Sequence, residues 1–312
     1  MLTLPTRLED PDMAVKIPFT YRFDFEYGKM QQLSPRIRRV IANNPGAFSF
    51  TGTGTFIIGR GKVAMIDPGP LMEEHIEAIL DGIKGEEVTH ILITHTHMDH
   101  SPAARIIKER TGAKTYGYGP HGEGKREQGV KVEEGGDMDF IPDVKVTHGE
   151  IIKGHGWNLE AVYTPGHTSN HMCYQLQEEK ALFTGDHVMG WSTSIISPPD
   201  GDMTDYMNSL DLLLQRNDEI YWPNHGTCIT DPKSYVRSFI THRQEREDQI
   251  LNCLSNGLYK IQDMVPTMYT DLDINMYPAA ARSVFAAIIR LIEMDRVTCK
   301  GELKLDSRYA LP

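Results

Sequence analysis

The sequence predicts a layered α/β fold, in which helices pack on β-sheets, followed by a small C-terminal domain. β-like runs and helical segments alternate along the first half of the chain. A strand–helix–strand–helix order is typical of α/β layers rather than of an all-α or all-β protein. Several β-like runs also end directly at a histidine or an aspartate. Because such side chains meet where strands end, the sequence predicts a site at one edge of a sheet.

The elements of the first half follow from local patterns. A Gly59-Arg60-Gly61-Lys62 turn between two apolar runs is typical of a β-hairpin. Glu73 and Glu74 are favourable in the first turn of a helix, and Pro102 is favourable at the start of another. The predicted elements are strands at 56–58 and 63–66, a helix at 71–83, a buried strand at 88–93 and a helix at 102–110.

Two segments leave alternatives open. In residues 1–35, aromatic side chains from Phe19 to Tyr27 alternate with polar ones, which is typical of an edge strand with one buried face or of an arm laid across a partner. Residues 116–136 are rich in glycine and charge and predict a mobile loop. That loop either covers the site as a lid or only decorates the surface.

Composition and charge restrict the functional class. The 312 residues are 40% hydrophobic and 24% charged, as in ordinary globular proteins. No apolar run approaches the ~18 residues of a membrane span, and the N-terminus lacks the apolar core of a signal peptide. Four scattered cysteines without a CxxC spacing indicate reduced thiols. We therefore expect a cytoplasmic protein with no membrane partner.

The net charge of −11 argues against a surface that binds nucleic acid throughout, because phosphate binding depends on Lys and Arg. The charge is uneven, since residues 232–312 carry a net charge of +1. The acidic part of the chain therefore also contains the histidine cluster described next.

Four groups that can bind a metal lie within six residues, directly after the predicted strand at 88–93. They are His95, His97, Asp99 and His100. Imidazole and carboxylate ligands together suit Zn²⁺, and less exclusively Fe or Mn. This density of ligands predicts a metal site rather than isolated surface histidines.

Three further candidates each follow a β-like run. His167 comes after the run at 159–163, Asp186 after 181–184 and His225 after 220–222. Seven ligands exceed the three or four of one zinc site. They suit a pair of divalent ions about 3.5–4 Å apart, with one carboxylate between them.

The pattern His95-x-His97-x-Asp99-His100, followed by His167, Asp186 and His225, resembles the metallo-β-lactamase superfamily, as does Asp67-Pro68-Gly69. The resemblance implies an αββα sandwich with the metals at one edge, within a catalytic domain at 36–230. It implies that Asp67 positions the histidine loop through hydrogen bonds. It assigns His95, His97 and His167 to one metal, Asp99, His100 and His225 to the other, and Asp186 to both.

Departures from the family pattern narrow the branch. Asp186 stands where β-lactamases of the superfamily commonly have Cys or Ser, and His97 stands where flavodiiron proteins usually have Glu. Only 39 residues separate Asp186 from His225, too few for the domain inserted in β-CASP nucleases, and no transfer-RNA-gripping arm is evident. The glyoxalase II-like group of thioesterases, lactonases and small nucleases remains.

Residues 231–312 predict a winged-helix-like domain. Helices fit 233–255, 261–269 and 278–294, and strands at 297–299 and 302–305 flank Lys300-Gly301 as a tight hairpin. A catalytic domain with this tail resembles the lactamase-beta-2-like group, whose characterised animal member is a single-strand RNA endonuclease. The tail could bind nucleic acid, pack on the catalytic domain or pair subunits in a homodimer, and we favour packing or dimerisation.

Residues near the ligands receive separate predictions. His187 either reaches the substrate or hydrogen-bonds behind Asp186, and His171 is expected to be a buried structural partner. Tyr206 is expected to pack in the core, whereas Trp191 is a candidate for the pocket wall. His121 is the remaining histidine most expected to have a role.

The predicted function is metal-assisted hydrolysis. Two ions lower the pKa of a bridging water from about 15.7 towards ~7, and the resulting hydroxide attacks a carbonyl carbon or a phosphorus. Asp99 holds the proton of the nucleophile. We expect a small-molecule ester, thioester or lactone as substrate; a glutathione thioester would need a basic pocket, which the sequence does not evidently supply. The alternatives are single-stranded RNA and a nucleic-acid-binding regulator with structural metals.

Overall fold

The computed structural model describes residues 15–123 and 135–312. Its first sheet has seven strands in sequence order. The first four strands are antiparallel and the rest are parallel. One helix lies between the fourth and fifth strands and another between the fifth and sixth. The strands are β1 (Gln31–Gln32), β2 (Ile37–Ile41), β3 (Gly54–Ile58), β4 (Lys62–Ile66), β5 (Glu87–Leu92), β6 (Lys114–Gly117) and β7 (Val144–Lys145); the helices are α1 (Glu73–Gly82) and α2 (Ala103–Thr111).

The second sheet has five strands in the order β12-β11-β10-β9-β8. It is antiparallel except for β11 and β12, which are parallel and joined through a helix, α3. Asp202 caps that helix by accepting a hydrogen bond from the Asp205 backbone N–H. The elements are β8 (Ile151–Lys153), β9 (Asn158–Tyr163), β10 (Met172–Leu176), β11 (Ala181–Gly185), α3 (Met203–Gln215) and β12 (Ile220–Pro223).

Three apolar clusters hold these layers together. One lies between the two sheets, where the Phe56 and Phe183 rings are 4.9 Å apart. A second packs α1 and α2 on the first sheet through residues such as Ile76 and Ile107. The third packs α3 and the C-terminal helices on the second sheet. Fully burying each such side chain stabilises the fold by roughly 1.5–3 kcal/mol. The predicted αββα layering is therefore confirmed.

Residues 15–26 have no regular secondary structure. The backbone N–H of Thr20 donates to the Gly190 carbonyl at 2.9 Å, and that of Val15 donates to the Glu245 carboxylate at 2.7 Å. The Phe19 ring packs edge-on against Phe239. This segment thus lies across the second half of the chain. The prediction of a glycine-rich lid falls largely on residues 124–134, outside the described residues.

The C-terminal part contains three helices and a two-stranded sheet. Asp231 caps the long helix, and Pro232 occupies its first turn, where a missing N–H costs nothing. The elements are α4 (Pro232–Ser255), α5 (Ile261–Met268), α6 (Tyr277–Glu293), β13 (Thr298–Cys299) and β14 (Tyr309–Ala310). Helices α4, α5 and α6 lie within one or two residues of their predicted bounds.

The predicted hairpin partner at 302–305 is wrong. Strand β13 pairs instead with β14, so that Cys299 lies opposite Tyr309. Tyr309 is 1% exposed and belongs to the cluster around α4 and α6, whereas Leu303 and Leu305 are exposed. Burial of the tyrosine ring therefore decides which segment pairs with β13.

The C-terminal helices share one core with the second sheet and α3. Val162 and Leu182 of the second sheet belong to the same buried cluster as Phe239, Ile288 and Leu291. The winged-helix part accordingly packs on the sandwich, as one of the two favoured alternatives predicted. Among the described residues, no helix is long and apolar enough to cross a membrane. All four cysteines are free thiols.

The β3–β4 turn offers a matched test of this packing. Gly59 and Gly61 both have positive φ, at 87° and 70°. A Cβ at Gly59 would lie 2.4 Å from the Trp157 ring, whereas one at Gly61 would meet nothing within 4 Å. We expect Gly61→Ala to cost about 1–2 kcal/mol for the backbone conformation alone. Gly59→Ala should cost roughly 1–3 kcal/mol more because the ring must shift.

Urea denaturation of both variants, followed by tryptophan fluorescence, measures the difference in unfolding free energy. Equal losses of stability would contradict the packing of Trp157 against this turn.

Candidate metal centre

The parallel strands β4 and β5 bring the first ligands to one edge of the sandwich. Asp67 follows β4, and its backbone N–H donates to the Leu92 carbonyl at 2.9 Å. Its carboxylate accepts hydrogen bonds from the Thr94 backbone N–H at 2.7 Å and from the Thr94 hydroxyl at 2.5 Å. The carboxylate also accepts from His100 Nδ1 at 3.0 Å. Asp67 thereby fixes both ends of the histidine loop.

The second sheet delivers the other three candidates to the same edge. His167 lies in the turn between β9 and β10, and Asp186 directly follows β11. Asn224 and His225 follow β12, which is parallel to β11. The Asn224 side chain donates to the Gly54 carbonyl of the first sheet at 2.8 Å, so the two sheets are tied together beside the site. All seven predicted ligands are brought together.

Three imidazoles form one group. His97 Nδ1 lies 3.1 Å from His95 Nε2 and 3.2 Å from His167 Nε2. Their ligand atoms are close enough to hold one metal ion. His97 thus presents Nδ1 to the shared point, whereas its two partners present Nε2.

The remaining ligands form a second group around His225. His225 Nε2 lies 3.2 Å from Asp99 Oδ2, and His100 Nε2 lies 3.6 Å from the same oxygen. Asp186 stands between the groups, with Oδ1 3.4 Å from His225 Nε2 and Oδ2 3.9 Å from His167 Nε2. One carboxylate therefore faces both groups with different oxygens.

The hydrogen bonds of the rings fit metal ligation. His167 Nδ1 donates to the Ile195 carbonyl at 2.7 Å, and His225 Nδ1 donates to the Gly52 carbonyl at 3.2 Å. With His100 Nδ1 donating to Asp67, the Nε2 lone pairs of these rings point to the shared centre. Within residues 15–123 and 135–312, His100 Nε2, His225 Nε2 and Asp186 Oδ1 are buried without a well-aligned hydrogen-bond partner. Buried polar atoms of this kind call for a ligand, and a divalent cation fits them.

The charges around Asp186 are strongly coupled. Burial opposes ionisation of Asp186, but His225 and His100 hold its pKa well below its usual value. Burial also disfavours the charged form of His225, whereas Asp186 and Asp99 raise its pKa to about 10. Two carboxylates thus stabilise positive charge in this buried pocket, as they would stabilise that of metal ions.

The residues predicted to flank the ligands are mostly buried. His171 is fully buried, with Nδ1 2.9 Å from the Thr164 hydroxyl, while its Nε2 accepts from the Asp186 backbone N–H. His187 is also fully buried, and burial lowers its pKa to about 3. It therefore lies in the interior next to Asp186 and does not line the cleft beside the ligands. The Tyr206 hydroxyl donates to the His187 carbonyl at 2.8 Å, as expected for a core tyrosine.

Two further predictions concern the surroundings of the site. Trp191 lines the cleft and stacks on Phe50 with ring centroids 4.7 Å apart. The Thr96 hydroxyl lies 2.8 Å from His121 Nδ1 and accepts a hydrogen bond from the Asn170 side chain. His121 therefore contacts the ligand loop through the Thr96 side chain.

Sequence reasoning missed Thr53 and Asn44. The Thr53 hydroxyl donates to Asp99 Oδ2 at 3.1 Å and accepts from the Asn44 side chain at 3.0 Å. This pair orients Asp99, whose side chain is 30% exposed and faces the cleft. The turn around Gly52 had no recognisable local pattern, so nothing in the sequence marked it.

The sequence does not evidently supply a basic pocket, but the fold brings arginines to the cleft. Arg243, Arg246 and Arg282 line the same cleft as the ligands His97 and Asp186. Their signal in the sequence was weak because they lie on two helices of a tail with a net charge of only +1. Packing of those helices on the sandwich brings them to the site.

Comparisons with known proteins agree with this geometry. The family profile of the metallo-beta-lactamase superfamily matches residues 50–225, more than half of the chain. The chain belongs to the metallo-beta-lactamase superfamily. A second profile, the beta-lactamase associated winged helix domain, matches residues 261–304. Membership of this superfamily, with an associated winged helix, confirms the resemblance and identifies the protein as a hydrolase.

Relatives within the superfamily include fungal proteins. An atrochrysone carboxyl ACP thioesterase of Claviceps purpurea is 30% identical over 78% of this chain and 75% of its own length. The lactamase-like protein adaB of Aspergillus niger is 27% identical over 93% of this chain and 94% of its own.

Solved structures share the complete fold. A beta-lactamase domain protein from Burkholderia ambifaria superposes with a TM-score of 0.79 at 17% identity, covering 95% of this chain and 97% of its own. A metallo-beta-lactamase family protein from Thermus thermophilus gives a TM-score of 0.74 at 20% identity, covering 90% of this chain and 100% of its own. At these identities the likeness concerns the fold.

Replacing Asp67 tests the support of the ligand loop. In Asp67→Asn, the side-chain NH₂ is a donor. It would face at least one of the groups that now donate a hydrogen bond to the Asp67 carboxylate. Where it faces His100 Nδ1, the ring changes tautomer and Nε2 carries the proton instead of a lone pair. We expect metal affinity to fall about 10- to 100-fold.

Competition against a chromophoric chelator measures the affinity, and Asp211→Asn on the exposed face of α3 serves as a control. Unchanged metal affinity in Asp67→Asn, with circular dichroism as in the wild type, would show that this hydrogen-bond network does not support the ligands.

Proposed function

We propose that the chain is a two-metal hydrolase that cleaves a thioester or a related small-molecule ester or lactone. The observation that carries this proposal is Asp186, whose two oxygens face two separate ligand groups. The donor set of imidazoles and carboxylates suits Zn²⁺, with Fe or Mn as the alternatives. His95, His97 and His167 would hold one ion, Asp99, His100 and His225 the other, and Asp186 both.

When bound, such a pair of ions supplies an activated water and polarises the bond to be cleaved. The side chains around it do the rest. Asp67 holds His100 in the tautomer that leaves Nε2 open, and Thr53 holds Asp99 through Oδ2. The partly exposed Asp99 carboxylate would accept the proton of the attacking water and pass it to the leaving group.

The cleft favours an acyl substrate. Its volume is about 580 Å³, which suits a small molecule with an extended arm. Beside the metal ligands, apolar side chains such as Phe48, Met98, Met189 and Trp191 line it. An acyl chain can bury apolar surface there, and the relatives named as thioesterases add support for a thioester.

Single-stranded RNA is the competing substrate class. The chain has a net charge of −11, which disfavours a polynucleotide. A panel of acyl thioesters, lactones, a β-lactam, a phosphodiester and single-stranded RNA, assayed with the metal-loaded protein, separates these classes. Turnover of RNA without turnover of any thioester, ester or lactone would overturn the proposal.

Substitution of the ligands tests the two-metal arrangement. Alanine at His97, Asp99 or Asp186 should each lower kcat by at least about 100-fold, because each change removes a group that stabilises charge at the reacting centre. Circular dichroism should stay as in the wild type, since these side chains lie at an edge of the sandwich. Asp211→Ala is the control and should keep full activity. Full activity in all three ligand variants would refute the arrangement.

A further inference from the structure

The cleft has a second wall that carries only positive charge. Helices α4 and α6 contribute Arg243, Arg246 and Arg282 to its lining. Among the described residues that line the cleft, the only carboxylates are Asp99 and Asp186, both at the metal centre. We call the three arginines the arginine wall. They form a basic surface inside a protein whose net charge is −11.

No carboxylate of the described residues, 15–123 and 135–312, forms an ion pair with the arginine wall. Elsewhere, Arg38 pairs with Glu86 and Arg216 pairs with Glu160, whereas the buried Arg39 donates to the Gly226 carbonyl and the Gln31 side chain without an ion pair to a described residue. Arg243 is buried and Arg246 and Arg282 are half-buried. Three such cations around one cleft would be stabilised by an anionic ligand.

The contacts of the wall arginines hold them in place without neutralising them. Arg243 donates to the Ser194 carbonyl and lies 5.1 Å over the Tyr206 ring. Arg246 donates to the Met268 carbonyl at 2.7 Å and lies 4.3 Å over the Tyr269 ring. For Arg282, no hydrogen bond or ion pair to another described residue is present. Two guanidinium groups are therefore preorganised and the third remains available.

The pKa of His242, which lies next to Arg243 in the sequence, also indicates positive charge around this wall. Burial, and then the charges of Arg243 and Arg246, lower the pKa of His242 to about 3. His242 therefore stays neutral around neutral pH, and the positive charge of this wall comes from the arginines.

We propose that the arginine wall binds an anionic group, a carboxylate or a phosphate, on the substrate and away from the bond that is cleaved. This inference rests on the proposed function, because it assigns the second end of the same substrate. Arginine binds both kinds of oxyanion through paired N–H donors. The wall lines the same cleft as the apolar side chains, so a matching substrate has an apolar acyl part and a charged end.

Two pairs of ligands distinguish a phosphate on the thiol half of the substrate from a carboxylate on its acyl half. Pantetheine 4′-phosphate and pantetheine differ only by a phosphate. In a thioester this phosphate belongs to the thiol leaving group, at the end remote from the sulfur. Hydrolysis-resistant amide analogues with a glutaryl or a pentanoyl group differ by a carboxylate on the acyl side. Isothermal titration calorimetry on the metal-loaded full chain measures the affinity within each pair. We expect the anionic member of at least one pair to bind at least about tenfold more tightly.

Substitution assigns that preference to the arginine wall rather than to the metals. Arg282→Gln and Arg246→Gln should each reduce the preference about tenfold with unchanged metal content. Arg282→Lys should restore part of it, because lysine keeps the charge but not the paired donors. Arg237→Gln, on the exposed face of α4, is the matched control.

A wild-type protein that prefers neither anion, or glutamine variants that keep the preference, would overturn the inference. The binding measurement does not depend on turnover. Retained anion preference without hydrolysis of any thioester, ester or lactone would therefore refute the proposed function and leave the arginine wall standing.

Discussion

The convergence of strand ends from two different sheets is the constraint on which this structure depends. Each sheet alone supplies only part of the ligand set, and neither part would face the other if the sheets slid. The Phe56–Phe183 contact in the inter-sheet core and the Asn224 hydrogen bond to Gly54 hold the two edges in register. Because packed interiors resist small displacements, the interatomic distances at the site follow from the core.

Much of the candidate site could be predicted because its signals are local. A histidine or aspartate directly after an apolar run keeps its place at the strand end whatever lies around it. Asp67 and Asp186 are of this kind, and the structure finds them where their strands end. The layering of the fold was predictable for the same reason, since alternating strands and helices impose it.

The parts that could not be predicted depend on contacts between distant segments. Strand β14 was missed because the burial of Tyr309 against the C-terminal helices, rather than the turn at Gly301, selects the partner of β13. The role of Thr53 could not be predicted because its hydroxyl contacts Asp99, which lies 46 residues away in the sequence. The arginines of α4 and α6 are likewise brought to the cleft by packing alone.

The shared core of the sandwich and the C-terminal helices has a consequence for how such proteins can diversify. The ligands lie on strand ends, whereas the arginines of the same cleft lie on helices whose inner faces are fixed by Phe239, Ile288 and Leu291. Substitutions on the cleft-facing positions of those helices can retune substrate selection while the hydrolytic machinery stays intact. Exchanging the whole tail between relatives would require the buried faces to be repacked together. Substrate selectivity in this architecture can therefore change through single substitutions, but it is not readily transferred by exchanging the whole C-terminal domain.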